Sequence, residues 1–517
     1  MNRSVRDAAI FALFLGATVS YLRYWPHDFY FFDEGLFLYE AKRVLQGDVM
    51  YRDFFDIRTP AWFYLFAGLY ALLGVSMETA RFGMAIVHGL IGGLTYLACR
   101  FAGVRVSIAI LAALTHLTLG YPTCTIATPH WLSTLVILIQ LLIILRTPSA
   151  TAKRALLWGA LAGVLILVQH QMGVIMAVGV GAVLIFDHMA SAKGAFSTSL
   201  LRQAAVYTAG LLLVAGPVML AFVAIAGFDD VFRALVEYPL VNYRRIHEGI
   251  AWGVYAPRLV PLGLIVKCLP LVLPPAFLVA LRRWRMEADR QQMRPLVVTL
   301  ILSMAALGSV VYHKDQLHFA YVAPLWFSLT AQLLEALLQY LEERLGGVRI
   351  TIGVAALLLM IGCGWQLLQN LRSRQRIFRV PVQTAFGRID FYDEHDVERF
   401  HWLSELLRDR QVNEIFAYPT DAGIYLLTGT RNPTRYQVVL PRYTGDDQIA
   451  EIIANLEARR VPIVITNPYW GFGLLRSLNS YVAQKYEVLK MPVATTGATA
   501  KIHQRRPDLR KKDGTFF

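Results

Sequence analysis

The chain has 517 residues, of which 56% are hydrophobic and 17% are charged, and its formal net charge is +14. A soluble domain is about half apolar and a quarter charged, whereas this chain contains many apolar runs of membrane-spanning length, so the composition excludes a single water-soluble domain. The positive charge is typical of cytoplasmic loops that meet anionic lipid, and we expect membrane lipid and no nucleic acid as a partner.

Apolar runs predict about eleven membrane-spanning helices. They lie near 7–23, 80–99, 104–120, 129–145, 154–169, 172–187, 203–226, 257–281, 295–312, 317–338 and 349–368. No small-residue cleavage site follows the first run, so we expect it to be a retained signal anchor. The four cysteines lie in or beside these runs without metal-ligand spacing, so we expect neither a disulfide framework nor a zinc site.

A further apolar run, at 60–74, decides the sidedness of everything that follows it. As a helix it reaches roughly 22 Å, which is short of the roughly 30 Å hydrocarbon core. If this run lies on the membrane surface and the N-terminus is cytoplasmic, every cytoplasmic loop carries Lys or Arg, as the positive-inside rule requires. We therefore predict one long first outer loop at 23–79 and an extracytoplasmic C-terminal part.

Polar residues become more frequent after about Leu371. Short β-type runs lie at 414–417, 435–440, 461–466 and 486–490, with helical patterns at 395–410 and 446–460. The predicted fold is therefore mainly α: a polytopic membrane helix bundle with juxtamembrane helices (1–370), followed by an extracytoplasmic α/β domain (371–500). We expect the basic tail at 501–517 to be disordered.

The first outer loop contains the strongest candidate for chemistry. From Asp33 to Gln46 it has a helix signature, with Gly47 as the stop. One interpretation makes Asp33 an N-cap that accepts backbone N–H bonds. The other follows from the aromatic belt at 29–32, which predicts that Asp33 and Glu34 lie at the membrane surface, partly desolvated and able to act as bases.

A second acidic group, Asp53 and Asp56, lies in the same loop beside Arg52 and Arg58. Ion pairing at a headgroup surface explains it as well as a functional role does. Both interpretations stay open at this point.

Three segments follow one another in this loop: Asp33-Glu34, then Tyr51-Arg52-Asp53-Phe54, then Arg58-Thr59-Pro60. This order resembles the first extracytoplasmic loop of the GT-C glycosyltransferases, in particular the protein O-mannosyltransferases and the bacterial aminoarabinose transferases. The resemblance implies that Asp33 is the catalytic residue and that Glu34 holds the acceptor or orients Asp33. It also implies that Arg58 contacts the carrier phosphate where relatives often have Lys, with a planar fork in place of a point charge.

Other polar residues are predicted on the same outer face. If a helix begins near Lys314, then Lys314, His318 and Tyr321 fall on one side of it and could clamp a phosphate, although a solvated turn with a snorkelling Lys is the alternative. His130 stands where some relatives place a second acidic residue, and His170 lies in a turn where relatives often carry Lys. With Arg52 and Asp56, these two histidines are candidate contacts for donor or acceptor.

Taken together, the loop and the resemblance imply an inverting membrane glycosyltransferase. It would move a sugar from a polyprenyl-phosphate donor to an acceptor hydroxyl on a glycan, lipid or protein, with Asp33 as general base, at the outer face of a bacterial cytoplasmic membrane. The sequence contains no P-loop or Rossmann fingerprint, and we expect no cofactor and no metal. The alternatives are a polytopic lipid or sugar transporter or flippase, and a non-catalytic membrane scaffold.

Overall fold

The computed structural model describes ten stretches of the chain. They are residues 3–30, 32–147, 151–190, 198–243, 265–286, 290–310, 316–345, 348–467, 474–491 and 500–507.

Helices make up most of the first 377 residues. They are α1 Arg3–Arg23, α2 Asp33–Leu45, α3 Ala61–Leu73, α4 Met77–Phe101, α5 Val106–Thr115 with a π-helical turn His116–Gly120, α6 Tyr121–Thr123, α7 Pro129–Arg146, α8 Ala152–Val168, α9 His170–Ala190, α10 Thr198–Ala226, α11 Phe228–Phe232 with π-helical turns Arg233–Glu237 and Pro239–Tyr243, α12 Leu273–Arg285 with a preceding 3-10 turn Leu269–Val272, α13 Arg290–Val310, α14 Gln316–Leu345 and α15 Val348–Ile377.

Each of the eleven predicted spans coincides with a helix, although the structure describes the 257–281 run only from residue 265. Among the described residues, nine helices are long and apolar enough to cross a membrane. The other two predicted spans correspond to the shorter helices at 106–120 and 152–168. The bundle is therefore the polytopic membrane fold that the hydropathy pattern predicts.

Helix α3 does not form a separate span. The start of α1 contacts the end of α4: Arg100 Nε lies 3.2 Å from Asp7 Oδ1, and Tyr96 donates a hydrogen bond of 2.8 Å to the same oxygen. These two helices therefore run antiparallel, so the segment between them starts and ends on one side of the bundle. Since α3 has only 13 residues, it is a short helix within the first outer loop.

Ion pairs join the helix ends on the opposite side of the bundle from this loop. Arg105 pairs with Glu335 and Glu342 of α14, at 2.9 and 2.7 Å. Arg294 of α13 pairs with Asp187 of α9 at 2.7 Å. Because each guanidinium meets a carboxylate from another helix, these pairs set which helices are neighbours.

The C-terminal part forms an α/β domain beside the bundle, hereafter the outer domain. Its elements are β1 Val380–Thr384, β2 Gly387–Phe391, α16 Glu394–Asp409, β3 Ile415–Tyr418, α17 Gly423–Thr428, α18 Asp446–Ala458, β4 Ile463–Thr466, α19 Arg476–Lys485, β5 Tyr486–Val488 and β6 Lys501–Arg505. β1 and β2 form an antiparallel hairpin, and the four-stranded sheet has the order β3-β4-β6-β5, with β3 and β4 parallel.

Two details of this domain differ from the sequence-based prediction. The predicted strand at 435–440 is absent, because this segment packs as a loop in which Val439 and Leu440 are buried without a strand partner. The predicted disordered tail begins too early, since Lys501–Arg505 form β6 between β4 and β5. Ile502 is buried there, and the ladder hydrogen bonds hold a strand whose composition is otherwise basic.

The outer domain packs directly on α2. A Cβ atom on Gly35 would lie 2.6 Å from Gly423 Cα, so α2 and α17 touch backbone to backbone. One turn further along α2, Tyr39 stacks on Tyr425 with ring centroids 4.8 Å apart, and its hydroxyl accepts a hydrogen bond of 2.8 Å from the Asn432 amide. The first outer loop and the outer domain therefore share one core.

This contact predicts that Gly35→Ala destabilises the protein by about 1–3 kcal/mol, because the added methyl group meets backbone that cannot move aside. Gly68→Ala is the matched control, since Gly68 also lies in a helix and a Cβ there meets nothing within 4 Å. The control should be neutral or more stable by about 0.5–1 kcal/mol. Unfolding midpoints in detergent measure both variants, and equal midpoints would contradict the close packing.

Candidate active site

One face of α2 carries the residues of the candidate site. The helix begins at Asp33, with Phe32 at the N-cap position, so Asp33 is the first helical residue and not the cap. Gly47 follows the helix with φ +94°, as its predicted role as a stop requires. Asp33, Phe37 and Glu40 are spaced i, i+4 and i+7 and therefore form one stripe. Gly35 and Tyr39, which contact the outer domain, lie on another face.

Glu34 is fully buried and holds three parts of the chain together. Both of its oxygens pair with the Arg81 guanidinium of α4, with Nη2 to Oε2 at 3.0 Å. Oε1 also accepts a hydrogen bond of 2.7 Å from the amide of Ala127, and Oε2 accepts one of 3.2 Å from the amide of Tyr30. The carboxylate of Glu34 is thus occupied by the protein, whereas Asp33 beside it is partly exposed.

The Arg81 guanidinium extends this cluster to the end of the last bundle helix. Arg81 donates to the carbonyl oxygen of Asp28, whose own side chain is buried. Asp28 Oδ2 lies 3.4 Å from Arg374 Nη1 and accepts a hydrogen bond of 3.3 Å from Thr125. Two acids and two arginines therefore connect α2, α4, α15 and the connection before α7, which places the start of α2 firmly against the bundle.

Arg58 lies against the same face of α2 as Asp33. Its guanidinium is centred 4.4 Å from the ring of Phe37, one helical turn from Asp33. Asp56 accepts two hydrogen bonds from Arg58, one of 2.6 Å from its backbone amide and one of 2.9 Å from Nη1. The Tyr51 hydroxyl donates 2.7 Å to the carbonyl of Arg58. Arg58 is therefore held against Phe37, one helical turn along α2 from the partly exposed Asp33 carboxylate.

Glu40 completes the stripe at the buried end. It has no exposed surface, and burial together with the neighbouring Asp56 charge raises its pKa well above the usual value, which favours the protonated form. Its Oε1 lies 3.3 Å from the carboxamide of Gln437 in the outer domain. Asp56, from the second acidic group of the loop, thus lies between the buried Glu40 carboxyl and Arg58.

Imidazoles from the first turns of two helices, α7 and α14, form a second group. The His130 ring stacks on Tyr321 with centroids 4.5 Å apart and meets the His318 ring edge-on at 5.1 Å. His130 Nδ1 is 2.9 Å from Gln169 Oε1. Tyr321 is only 2% exposed, and its hydroxyl lies 2.9 Å from Cys124 Sγ. The histidine rings are partly exposed, whereas Tyr321 is buried beneath them.

His170 and Thr59 connect the two groups. Thr59 Oγ1 donates a hydrogen bond of 2.8 Å to the carbonyl of Ile166 at the end of α8. The imidazole of His170, at the start of α9, interacts electrostatically with Asp56 and Arg58. The loop that carries Arg58 is therefore fastened beside the 169–170 turn whose Gln169 contacts His130.

The structure does not gather every predicted residue here. Arg52 forms a surface ion pair with Asp53 at 2.8 Å, as the ion-pairing interpretation of that group expects. Lys314 lies outside the described residues. His88 and His116 hydrogen-bond to each other at 3.1 Å in the interior. Among the described residues, no group of three His, Cys, Asp or Glu side chains is arranged to hold a metal ion.

Three contributors were missed by sequence reasoning. Arg81 sits near the start of an apolar span, where a lone arginine is unusual and could have indicated a buried partner. Glu40 is an acid on the otherwise apolar side of an amphipathic helix, which was a signal of the same kind. Gln169 carried no signal, since its role depends on how α8 and α9 pack against α7.

Two solved structures of one protein are similar to the chain in fold. No protein-family profile and no curated protein sequence matches the chain. The crystal structure of ArnT from Cupriavidus metallidurans bound to undecaprenyl phosphate superposes with a TM-score of 0.57 at 14% identity, covering 97% of both chains. The apo form gives 0.55 at 14% identity, covering 97% of this chain and 98% of that one. Arabinofuranosyltransferase AftD from mycobacteria gives 0.45 at 12% identity, with 40% of its chain covered.

ArnT is an aminoarabinose transferase of the GT-C type. At this level of identity, the likeness establishes the fold. The chain therefore has an ArnT-like GT-C fold over nearly its whole length, as its first outer loop predicts.

The burial of Glu34 predicts a difference between the two neighbouring acids. Glu34→Gln should destabilise the protein by about 3 kcal/mol, because it leaves the Arg81 charge poorly compensated, whereas Asp33→Asn should change stability by less than about 0.5 kcal/mol. Arg81→Met should cost about as much as Glu34→Gln, and the double variant should cost less than the sum of the two. Unfolding in detergent measures all four variants, and strict additivity would show that the two residues do not interact.

Proposed function

We propose that the protein is an integral membrane glycosyltransferase that transfers a sugar from a polyprenyl-phosphate donor to an acceptor hydroxyl. One observation carries this proposal: within an ArnT-like fold, a held cation, Arg58, packs on Phe37, one turn along α2 from the partly exposed carboxylate of Asp33. A base and a phosphate-binding group are the two parts that this transfer needs.

Asp33 is the general base in this proposal. Its neighbour Glu34 has both oxygens occupied by Arg81 and backbone amides, so we assign Glu34 to positioning the start of α2 and not to proton transfer. The acceptor hydroxyl oxygen bonds to the sugar C1 while its proton passes to Asp33. Attack from the face opposite the leaving phosphate inverts the anomeric centre.

Arg58 stabilises the leaving phosphate. As the C1–O bond to the carrier breaks, negative charge grows on the phosphate oxygens, and a preorganised guanidinium stabilises that charge without reorganising. His318 and His130 lie as partly exposed imidazoles beside the 169–170 turn and extend this phosphate site. Lys314 belongs to the same proposal from the sequence alone, whereas Tyr321 is buried and is assigned to supporting the His130 ring.

The ArnT crystal structure contains undecaprenyl phosphate, which supports a polyprenyl phosphate as the carrier for this chain as well. The acceptor is a hydroxyl of a glycan, lipid or protein. Arginines cluster at the ends of the bundle opposite the first outer loop, and this distribution supports a cytoplasmic N-terminus and a site on the outer face of a bacterial cytoplasmic membrane.

Asp33→Asn is expected to lower sugar transfer by about a thousandfold, because the acceptor hydroxyl loses its base. Membranes containing each variant are assayed for conversion of polyprenyl-phosphate sugar to polyprenyl phosphate by mass spectrometry. Binding of undecaprenyl phosphate to the purified variant should stay within twofold of wild type. Asp53→Asn, a surface acid in the same loop, is the control and should transfer normally. Wild-type turnover in Asp33→Asn would remove Asp33 as the base.

The proposed orientation predicts which introduced cysteines react from outside. In a variant whose own cysteines are replaced by alanine, Val75→Cys lies in the first outer loop and should react with a membrane-impermeant maleimide on intact cells. Ala102→Cys, after α4, should react only once the membrane is opened, because it lies on the cytoplasmic side. Labelling of Ala102→Cys in intact cells would reverse the topology.

A further inference from the structure

Asp56 forms an ion pair with Arg58, the cation that we assign to binding the carrier phosphate. Its Oδ2 lies 2.9 Å from Arg58 Nη1, and its Oδ1 accepts 2.6 Å from the amide of the same residue. The Asp56 side chain is only 3% exposed. The pair is therefore poorly screened by water and close to any anion that Arg58 binds.

Two acids, Glu40 and Asp56, face each other beside Arg58 and are joined by a side-chain hydrogen bond. Burial and the Asp56 charge raise the pKa of Glu40 well above the usual value, which favours its protonated form. The other ionisable groups nearby are the Arg43 guanidinium of α2, the Tyr51 hydroxyl and the His170 imidazole. Arg43 is engaged by Asp48 at 2.6 Å. The local charge facing a ligand at Arg58 is therefore that of an Arg58–Asp56 ion pair.

Donor and product differ in charge at the atom that Arg58 would bind. A polyprenyl-phosphate sugar is a phosphodiester with one negative charge. The released polyprenyl phosphate is a monoester whose second pKa is about 6, so it carries nearly two charges at pH 8. A lone arginine would hold the dianionic product more tightly than the donor, and the product would then block the site.

We propose that Asp56 is a resident counter-ion that sets the site's preference for the monoanionic donor over the dianionic product. Its carboxylate repels the second charge of the monoester about as strongly as the first, so it weakens product binding more than donor binding. Asp56 thus acts through Arg58 as a positioning and specificity-determining residue, and its effect promotes release of the carrier. This inference rests on the proposed function of Arg58.

The test measures dissociation constants for two lipids that need no knowledge of the sugar. The probes are undecaprenyl phosphate and its methyl ester, a diester with one charge, binding to the purified full-length protein in detergent at pH 8. Asp56→Asn keeps an acceptor for the Arg58 amide and removes the charge. It should tighten the methyl ester about threefold and undecaprenyl phosphate about tenfold, because the Coulomb energy scales with ligand charge.

Two matched variants accompany this measurement. Asp53→Asn makes the same charge change three residues away, at an exposed ion pair, and should leave both dissociation constants within twofold of wild type. Glu40→Gln should also change little, because a carboxamide can donate the hydrogen bond to Asp56 and matches the protonated form that burial favours. Asp56→Ser, which also offers an oxygen to the Arg58 amide, replaces Asp56→Asn if that variant does not fold.

The outcomes separate this inference from the function on which it rests. An unchanged ratio of the two dissociation constants in Asp56→Asn would overturn the inference while leaving a phosphate site in place. The same shift in Asp53→Asn, or an equal shift in Glu40→Gln, would also overturn it. Failure of the wild-type protein to bind either lipid would overturn the proposed function itself, and the inference with it.

Discussion

The buried ion pair between Glu34 and Arg81 is the constraint on which the candidate site depends. A charge pair removed from water needs further hydrogen bonds, and here the Glu34 carboxylate accepts them from the backbone amides of Tyr30 and Ala127. The carboxylate therefore holds α2 against α4 and the connection before α7. Asp33, the preceding residue, is thereby placed at the start of the same helix.

The bundle could be predicted from the sequence because lipid leaves the backbone few choices. A spanning segment must satisfy its own hydrogen bonds, so hydropathy and length alone located the eleven helices. The short run that became α3 was recognised by the same length argument. The outer domain was harder: 435–440 alternates like a strand but is buried as a loop against α2, and β6 has one apolar anchor, Ile502, among basic and polar residues.

From the sequence, only the part of the candidate site that lies within the first outer loop could be predicted. Asp33 and Arg58 were found because they lie in a single segment with a recognisable order of residues. The contacts around them join residues that are far apart in the sequence. Arg81 is separated from Glu34 by 47 residues, and Gln169 from His130 by 39. Such pairings depend on how helices pack, and no local pattern encodes them. The same limit explains why Asp56 stayed ambiguous until its contacts with Arg58 and Glu40 were known.

The union of α2 with the outer domain has a consequence for biosynthesis. Tyr39 receives its hydrogen bond from Asn432, 393 residues later in the chain. At about 5–20 residues per second, a ribosome needs roughly 20–80 s to make that stretch. During this interval the early helices can enter the bilayer, while one side of α2 is not yet covered by the outer domain. The order of synthesis therefore makes the first outer loop one of the last parts of the protein to complete its packing, and a chain released before the outer domain is complete would leave that side of α2 uncovered.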